Sequence, residues 1–284
     1  MVPDVRILNL GCGMRFHPGH TNVDFIATDR SVRAHDLSRG IPFAADTFEV
    51  VYHSHLLEHF SLEAGELFVK ECARVLKPGG IIRIVVPDLE RIVREYLGIL
   101  LEDLNQQELA IANHEWMLLE LYDQTVRTRS GGKVKEFLLS PQLKNREFVL
   151  RRVGYEASGI LEAPAKARPS LMQKLRNKGV WGSIGRIYQS LAVKAVSALA
   201  YLSLGGRGCR SFQEGWFRTG GEIHQAIYDY YLLERLLSKL GFKQIVRRDH
   251  LTSYVPGWSN FLLDGEPSGV AYKPDSLYAE AIKP

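Results

Sequence analysis

Short strand candidates recur through the first ninety residues and return near the end of the chain. They lie at 5–10, which is an apolar run, and at 21–25, 32–36, 48–52 and 81–86, with two closing candidates at 243–247 and 277–281. Runs of this length between turns are typical of buried strands in a parallel sheet. A helical pattern precedes the fifth run; Ser61 is placed as its N-cap, and the breakers Lys77-Pro78-Gly79-Gly80 end it. The alternation predicts an α/β fold with helices on both faces of a parallel sheet.

The middle of the chain follows a different pattern. Residues 89 to about 124 are mostly helical in spacing, 127–135 form a polar loop with two glycines, and 136–222 show no clear period. A last helix over 227–240 ends at Gly241. We therefore predict a core domain made of 1–125 and 220–284, interrupted by a helical insertion at 126–219. That insertion is interpreted as a lid, a dimer contact or a membrane-surface element.

Composition excludes several classes of protein. The chain has 284 residues, of which 45% are hydrophobic, and its three cysteines are too few for a disulfide framework or a zinc cluster. The N-terminus lacks the features of a signal peptide, and no run is long enough to span a membrane. These observations predict a cytoplasmic protein.

The net charge of +4 comes from one segment. Residues 163–213 hold nine Lys or Arg and no Asp or Glu, and within them Gln189 to Leu204 is apolar apart from Lys194. This pattern is compatible with peripheral contact with an anionic membrane, at its inner face. An insertion helix packed on the main domain, or on a second subunit in a homodimer, is the alternative. Nucleic acid is not an expected partner, because no known RNA or DNA motif accompanies the charge.

A glycine turn, Gly11-Cys12-Gly13, follows the first run and predicts a nucleotide-type cofactor. A dinucleotide site would need a third glycine at the position of Phe16 and a helix opening at the turn. Here His17-Pro18-Gly19 breaks any helix, and Asp24 comes 11 residues after Gly13 instead of about 20. These features disfavour a diphosphate and favour a cofactor held through its ribose and amino-acid ends.

Several motifs in order carry a resemblance to a known family. They are Leu8-Asn9-Leu10-Gly11-Cys12-Gly13, Asn22-Val23-Asp24, His35-Asp36-Leu37, His55-Leu56-Leu57-Glu58-His59, Leu76-Lys77-Pro78-Gly79-Gly80 and Ser276-Leu277-Tyr278-Ala279-Glu280-Ala281. The set resembles class I S-adenosylmethionine-dependent methyltransferases, and within them the type 11-like group found with polysaccharide and O-antigen genes. The resemblance implies a Rossmann-like, mostly parallel seven-stranded sheet with an antiparallel final strand. It also implies S-adenosylmethionine as cofactor and O-methylation of a sugar or glycan intermediate, either a small molecule or lipid-linked.

The same resemblance implies roles for individual residues. The cofactor-binding set is Leu10, Gly11, Cys12, Gly13, Asp24, Asp36, Leu37, His53, Ser54 and His55. In it, Asp24 would accept hydrogen bonds from the ribose, Asp36 would meet the adenine amino group, and 53–55 would lie beside the sulfonium. Asp24 could instead be a turn residue, and Asp36 could instead cap the next turn.

Removal of a hydroxyl proton calls for a base, and histidine is the usual choice. The candidates are His55, His59 and His224, although His59 and His224 could equally be helix-start residues. The stretch from His55 to His59 also matches the His-x-x-Glu-His pattern of inverted zinc peptidases. Its place between a strand and a helix of the sheet argues against that interpretation, so no metal is expected.

Two other functions fit the same features. One is a protein that binds S-adenosylmethionine without transferring its methyl group, as a regulatory partner in a glycan pathway. The other is a nicotinamide-dependent sugar reductase. The choice of cofactor separates the second from a methyltransferase.

Overall fold

The computed structural model describes residues 5–102, 108–161 and 180–284. Seven strands form one sheet in the order β3-β2-β1-β4-β5-β7-β6. They are β1 (Ile7–Leu10), β2 (Thr21–Asp24), β3 (Val32–Ala34), β4 (Phe48–Ser54), β5 (Leu76–Pro87), β6 (Lys243–Arg248) and β7 (Ser276–Ile282). The first five strands are parallel, and β7 runs antiparallel between β5 and β6. The predicted Rossmann-like sheet with an antiparallel final strand is confirmed.

The helices of the described residues follow β4 and β5. They are α1 (Leu62–Val75), α2 (Leu89–Leu100), α3 (Glu108–Val126), α4 (Gly132–Leu138), α5 (Arg146–Val153), α6 (Tyr155–Leu161), α7 (Val180–Arg218) and α8 (Tyr230–Lys239). Ser61 caps α1 as expected, through a 3.2 Å hydrogen bond from the Ala64 N–H. The loop prediction for 127–135 was wrong at its end, because α4 begins at Gly132.

One face of the sheet packs against α1 and α8. Its core is formed by buried side chains from both layers, among them Leu8, Val51, Phe68, Val69, Cys72, Ile82, Leu233 and Leu237. These are the apolar positions that repeat every three or four residues in the helices. The sheet is therefore anchored on this side by two amphipathic helices, as predicted.

The opposite face lacks the predicted helix layer in the described residues. It is covered by the connection between β6 and β7, whose Val255, Trp258 and Leu263 pack on Ile7 and Tyr52 of the sheet. Pro256, Gly257, Pro267 and Gly269 interrupt any helical repeat there, so only a short 3-10 turn, Trp258–Phe261, forms.

Helices α2 to α6 form a separate layer beyond the carboxyl end of β5. They share a second core that includes Ile92, Ile99, Trp116, Met117, Leu138, Phe148 and Val149. This core joins α2 and α3 to the region assigned as an insertion, and the division at 125 and 220 stays a prediction. Helix α7 bends at Gly205, where φ is 66° and ψ is −165°. Within the described ranges, no helix is both long enough and apolar enough to cross a bilayer.

Candidate functional site

The turn after β1 is fastened to the end of β2. Gly11 donates its N–H to the carbonyl of Val23 at 2.8 Å, and the Gly13 N–H donates to Asp24 Oδ2, also at 2.8 Å. Gly11 and Gly13 have φ values of 64° and 54°, a region that favours glycine. The two glycines and the carboxylate that were predicted to meet the cofactor therefore lie together.

Asp24 keeps acceptor capacity for a ligand. A carboxylate offers about four lone-pair positions. Asp24 receives hydrogen bonds from the N–H groups of Gly13 and Ile26, the second at 3.3 Å. The ring of Phe25, 72% exposed beside it, is an apolar surface to which the sequence analysis gave no role. A polar acceptor next to an exposed aromatic ring suits a ribose joined to a flat base.

The side chains of Leu10 and Cys12 are buried, which leaves their backbone for the predicted contact with the cofactor. Leu10 is fully buried in the sheet. Burial, reinforced by the nearby Asp24 carboxylate, raises the pKa of the Cys12 thiol to about 12. The thiol is therefore protonated and unreactive at neutral pH.

No helix follows the glycine turn. Residues 11–20 form turns only. The buried side chain of Asn22 holds them in place by donating to the carbonyls of His17 and His20 at 3.0 and 3.1 Å. A pyrophosphate site would use the N–H groups and dipole of a helix N-terminus at this point. This geometry supports the expectation of a cofactor without phosphates.

Asp36 and Leu37 lie at the end of β3. Asp36 caps the 3-10 turn Leu37–Arg39 by accepting hydrogen bonds from the N–H and hydroxyl of Ser38, at 3.1 and 2.7 Å. The Ser38 hydrogen bonds lower the pKa of Asp36, so its carboxylate is ionised. Leu37 packs against the main core. The capping role is the alternative considered for Asp36, and contact with adenine stays a prediction for both residues.

The structure places His53 differently from the expectation that it lines the site. Side chains alternate along β4, so His53 shares the face of Val51 and lies fully buried 5.3 Å from the ring of Phe68. Burial lowers the pKa of His53 to about 3. It is a neutral core histidine. Ser54 is half-buried at the end of β4 and lies opposite Val85, and its place beside the sulfonium stays a prediction.

His55 leaves β4 with a φ of 50°, which is uncommon for a residue other than glycine. Its Nε2 lies 2.8 Å from Ser276 Oγ, and its Nδ1 lies 3.5 Å from Glu58 Oε1. Burial, with smaller contributions from nearby Lys273, His224 and His59, lowers its pKa well below the usual value. His55 is therefore a neutral ring held from both nitrogens.

The other two candidate bases meet although 165 positions separate them in the chain. The rings of His59 and His224 have centroids 4.9 Å apart. His59 Nδ1 lies 3.1 Å from the carbonyl of Ile223, and the N–H groups of Gln225 and Ala226 donate to the Glu58 carbonyl at 2.7 and 3.1 Å. Burial, followed by the neighbouring His59, lowers the pKa of His224 to about 3. The structure thus brings His55, His59 and His224 into one cluster.

Glu58 is the member of this cluster to which the sequence analysis assigned no role. Its side chain is 1% exposed and sits between His55 and His59 in the chain. The His-x-x-Glu-His spacing was a signal for it, but the residue that completes the group, His224, comes from a distant segment.

A cavity of about 100 Å³ lies beside the cluster, between the carboxyl ends of β4 and β5 and the helical layer. His55, His224, Trp116, Gln124 and Asp275 are among the residues that line it. It is connected to the cofactor turn through the residue after His55: a Cβ on Gly11 would lie only 2.9 Å from the Leu56 side chain. The glycine turn, the histidines and the cavity therefore form one continuous region.

The apolar stretch of the basic segment stands on the surface. In α7, Leu191, Leu199, Tyr201, Leu202 and Leu204 are each at least 60% exposed. Lys194, Arg207 and Arg210 are exposed on the same helix. Lys166, Arg168, Lys174, Arg176 and Lys178 lie outside the described residues. Several large apolar side chains exposed together on one helix are typical of an interaction site.

Comparison with known proteins identifies the domain. Residues 20–84 match the model of a family described as a methyltransferase domain. No curated protein sequence matches the chain. The YcgJ protein of Bacillus subtilis is 23% identical, with a TM-score of 0.26. That alignment covers 34% of this chain and 52% of YcgJ, about half its length.

Two further solved structures align over nearly the whole chain. A SAM-dependent methyltransferase from Archaeoglobus fulgidus is 12% identical over 99% of this chain and 87% of its own, with a TM-score of 0.36. The CurJ carbon methyltransferase is 11% identical over 100% of this chain and 50% of its own, with a TM-score of 0.37. Scores below 0.5 carry no argument about function. Residues 20–84 are similar to a methyltransferase domain, and S-adenosylmethionine is the cofactor that this similarity implies.

Proposed function

We propose that the protein transfers the methyl group of S-adenosylmethionine to a hydroxyl of a sugar or glycan intermediate. The observation that carries this proposal is the meeting of the glycine turn with three histidines. Leu56 packs on Gly11 and is preceded by His55, which lies in one cluster with His59 and His224. A hydroxyl acceptor needs a base at this position, and neutral imidazoles are suited to that role.

S-adenosylmethionine supplies a methyl group that is already strongly electrophilic. The chain itself has to align the acceptor oxygen and exclude water. Asp24 and the glycine turn fix the cofactor end of this arrangement, and the histidine cluster lies at the acceptor end. Glu58 is buried and the three histidines are half-buried beside the helical layer, which limits the access of water.

The cavity supports a small polar acceptor. Its lining combines apolar side chains such as Ile92 and Leu119 with the polar groups of Glu120, Gln124 and Thr125. A mostly apolar wall with a few polar groups is typical of small-molecule sites. The choice of a sugar rests on the resemblance to the type 11-like group.

Titration calorimetry with S-adenosylmethionine and with NAD⁺ tests the proposal. We expect S-adenosylmethionine to bind and NAD⁺ to show no heat. Tight NAD⁺ binding alone would instead establish the nicotinamide-dependent reductase. Formation of S-adenosylhomocysteine with sugar and glycolipid acceptors then tests transfer. S-adenosylmethionine binding without turnover on any acceptor would favour the non-catalytic regulatory partner.

We also propose that α7 rests on the inner face of an anionic membrane. Exposed leucines and exposed basic residues on one helix support this. Such contact would bring the enzyme to a lipid-linked glycan acceptor from the cytoplasmic side.

A further inference from the structure

The histidine cluster contains a set of metal-ligand atoms. One carboxylate oxygen of Glu58, one ring nitrogen of His59 and one of His224 all lie within 4.8 Å of one another. Two imidazoles and a carboxylate are a donor set that divalent transition metals prefer. Among the residues that the structure describes, these three side chains form the one group of histidine, cysteine and acidic side chains that are close enough to share an ion.

The distances bound the adjustment that an ion requires. Two ligand atoms with metal bonds of about 2.1 Å are about 3.4 Å apart at a tetrahedral angle. The ligand atoms lie within 4.8 Å of one another, so the widest pair has to close by at most roughly 1.4 Å.

Hydrogen bonds already orient the ligands. His59 Nδ1, at 3.1 Å from the Ile223 carbonyl, donates its proton there, which leaves the lone pair on Nε2. His55 Nδ1 lies 3.5 Å from Glu58 Oε1, which is a contact and not a hydrogen bond. Outer partners of this kind fix the tautomer and direction of metal-binding side chains.

The set contains one negative group, the carboxylate of Glu58, whose side chain is 1% exposed. Arg127 is a cation near His224, and it is paired with Asp123 at 2.8 Å and Glu222 at 3.1 Å. These two carboxylates offset the charge of Arg127.

We propose that Glu58, His59 and His224 bind one divalent transition-metal ion that assists removal of the proton from the acceptor hydroxyl. The expectation of no metal, drawn from the sequence, is replaced by this proposal. His55, the first histidine of the His-x-x-Glu-His pattern, is a positioning residue here, because its Nε2 is engaged by Ser276. The third ligand is His224, which also lines the cavity.

The catalytic part of this inference rests on the proposed function. An ion with three protein ligands retains open coordination positions and favours ionisation of a nearby hydroxyl. Water, and not a histidine, would take the hydroxyl proton in this arrangement, because His59 and His224 would hold the ion and His55 is engaged by Ser276. The oxygen would then form a bond to the methyl carbon. The carbon–sulfur bond breaks with its electron pair going to sulfur, so the sulfonium becomes a neutral thioether.

The test is metal binding to the full chain. Protein freed of metal with a chelator is titrated calorimetrically with Mn²⁺ and, separately, with Zn²⁺. We expect one ion per chain for at least one of them. His224→Ala should weaken binding at least tenfold, whereas His250→Ala, which removes a ring bonded to the Gly269 carbonyl away from the cluster, should leave it unchanged.

Glu58→Gln keeps the shape of the side chain and removes its charge, and it should weaken binding by a similar factor. Circular dichroism shows whether this buried variant folds, and if it does not, His224→Ala decides. Failure of both ions to bind, or equal binding by the wild type and the His224→Ala variant, would overturn the proposal. Titration of the same samples with S-adenosylmethionine separates this outcome from failure of the proposed function.

Discussion

At the scale of single residues, Asp24 is the predicted link between the glycine turn and the cofactor. Its carboxylate holds the Gly13 N–H and has capacity left for two ribose hydroxyls. We predict that Asp24→Ala weakens S-adenosylmethionine binding by about 1–3 kcal/mol, because hydrogen bonds to a charged group are lost. Calorimetric titration measures the change.

Asp29 is the matched control for this prediction. It is an exposed carboxylate in the connection between β2 and β3 that accepts a hydrogen bond from the Ser31 N–H at 2.8 Å. Asp29→Ala should leave the affinity within a few tenths of a kcal/mol, as surface substitutions usually do. If Asp24→Ala binds as tightly as this control, Asp24 does not contact the cofactor.

Arg83 is a second residue for which the structure predicts the effect of a substitution on stability. It is fully buried in β5 and pairs with Asp264 at 2.7 Å and Glu280 at 2.9 Å. We predict that Arg83→Met lowers the free energy of unfolding by about 3–5 kcal/mol, because Asp264 is left buried without its cation and Glu280 keeps only its pair with Arg248 at 3.2 Å. Urea denaturation followed by circular dichroism measures this.

The exposed pair of Arg94 and Glu90 provides the comparison. Arg94 is 76% exposed and lies 2.8 Å from Glu90 on α2. Arg94→Met should change the free energy of unfolding by less than about 0.5 kcal/mol, because exposed ion pairs contribute little. Equal effects of the two substitutions would show that the Arg83 cluster does not stabilise the fold.

At the scale of elements, local pattern was enough to predict the strands. Each of the seven strands coincides with a predicted segment. Buried strands such as β1 need consecutive apolar residues regardless of their partners, whereas the exposed β6 has only two apolar residues, Ile245 and Val246. The segment that covers the sheet face opposite α1 and α8 could not be predicted from local pattern. Trp258 and Leu263 reach that face through a chain segment with no regular period, and only the folded arrangement shows it.

The candidate site shows the same division. The glycine turn and Asp24 are close in sequence and were predicted together. His224 meets His59 through backbone contacts between distant segments, such as the bond from Gln225 to Glu58, and no local pattern encodes that pairing. His53 was misplaced because a residue at the end of a strand can face either the site or the core, and strand alternation decides between them.

Helix α7 is the element whose surface calls for an experiment. We predict that the protein sediments with vesicles of phosphatidylserine and phosphatidylcholine, and that salt weakens this binding. Leu199→Glu combined with Leu202→Glu should weaken it more than tenfold, because burying each leucine contributes about 1.5–3 kcal/mol. These side chains are 63% and 82% exposed, so the change should not unfold the chain.

The matched control places the same charges elsewhere on the surface. Leu67 and Leu97 are 64% and 53% exposed on α1 and α2. Leu67→Glu with Leu97→Glu should leave vesicle binding unchanged. Absence of vesicle binding, together with a dimer in light scattering that the α7 variant dissociates, would assign this surface to a second subunit.

At the scale of the whole molecule, buried histidines couple stability to pH. Burial lowers the pKa of His53 to about 3, and burial followed by the neighbouring His17 lowers the pKa of His20 to about 4. Both rings stay neutral in the folded state, whereas in the unfolded chain they take up protons below about pH 6.5. The unfolded state thus binds more protons in this window, and stability falls as the pH decreases.

For His53 this coupling gives a measurable slope. A histidine with an unfolded pKa near 6.5 and a folded pKa near 3 removes about 2 kcal/mol of stability between pH 7 and pH 5. His53→Leu, which places an apolar side chain beside Phe68, should therefore make the free energy of unfolding less dependent on pH by that amount. Urea titrations of both proteins at pH 7 and pH 5 measure the difference, and every other histidine is common to the two.

Carboxylates whose pKa lies below 4.5, such as Glu71, add little in this window because they are ionised throughout it. Identical pH dependence in the two proteins would mean that His53 is protonated, or reached by water, in the folded state.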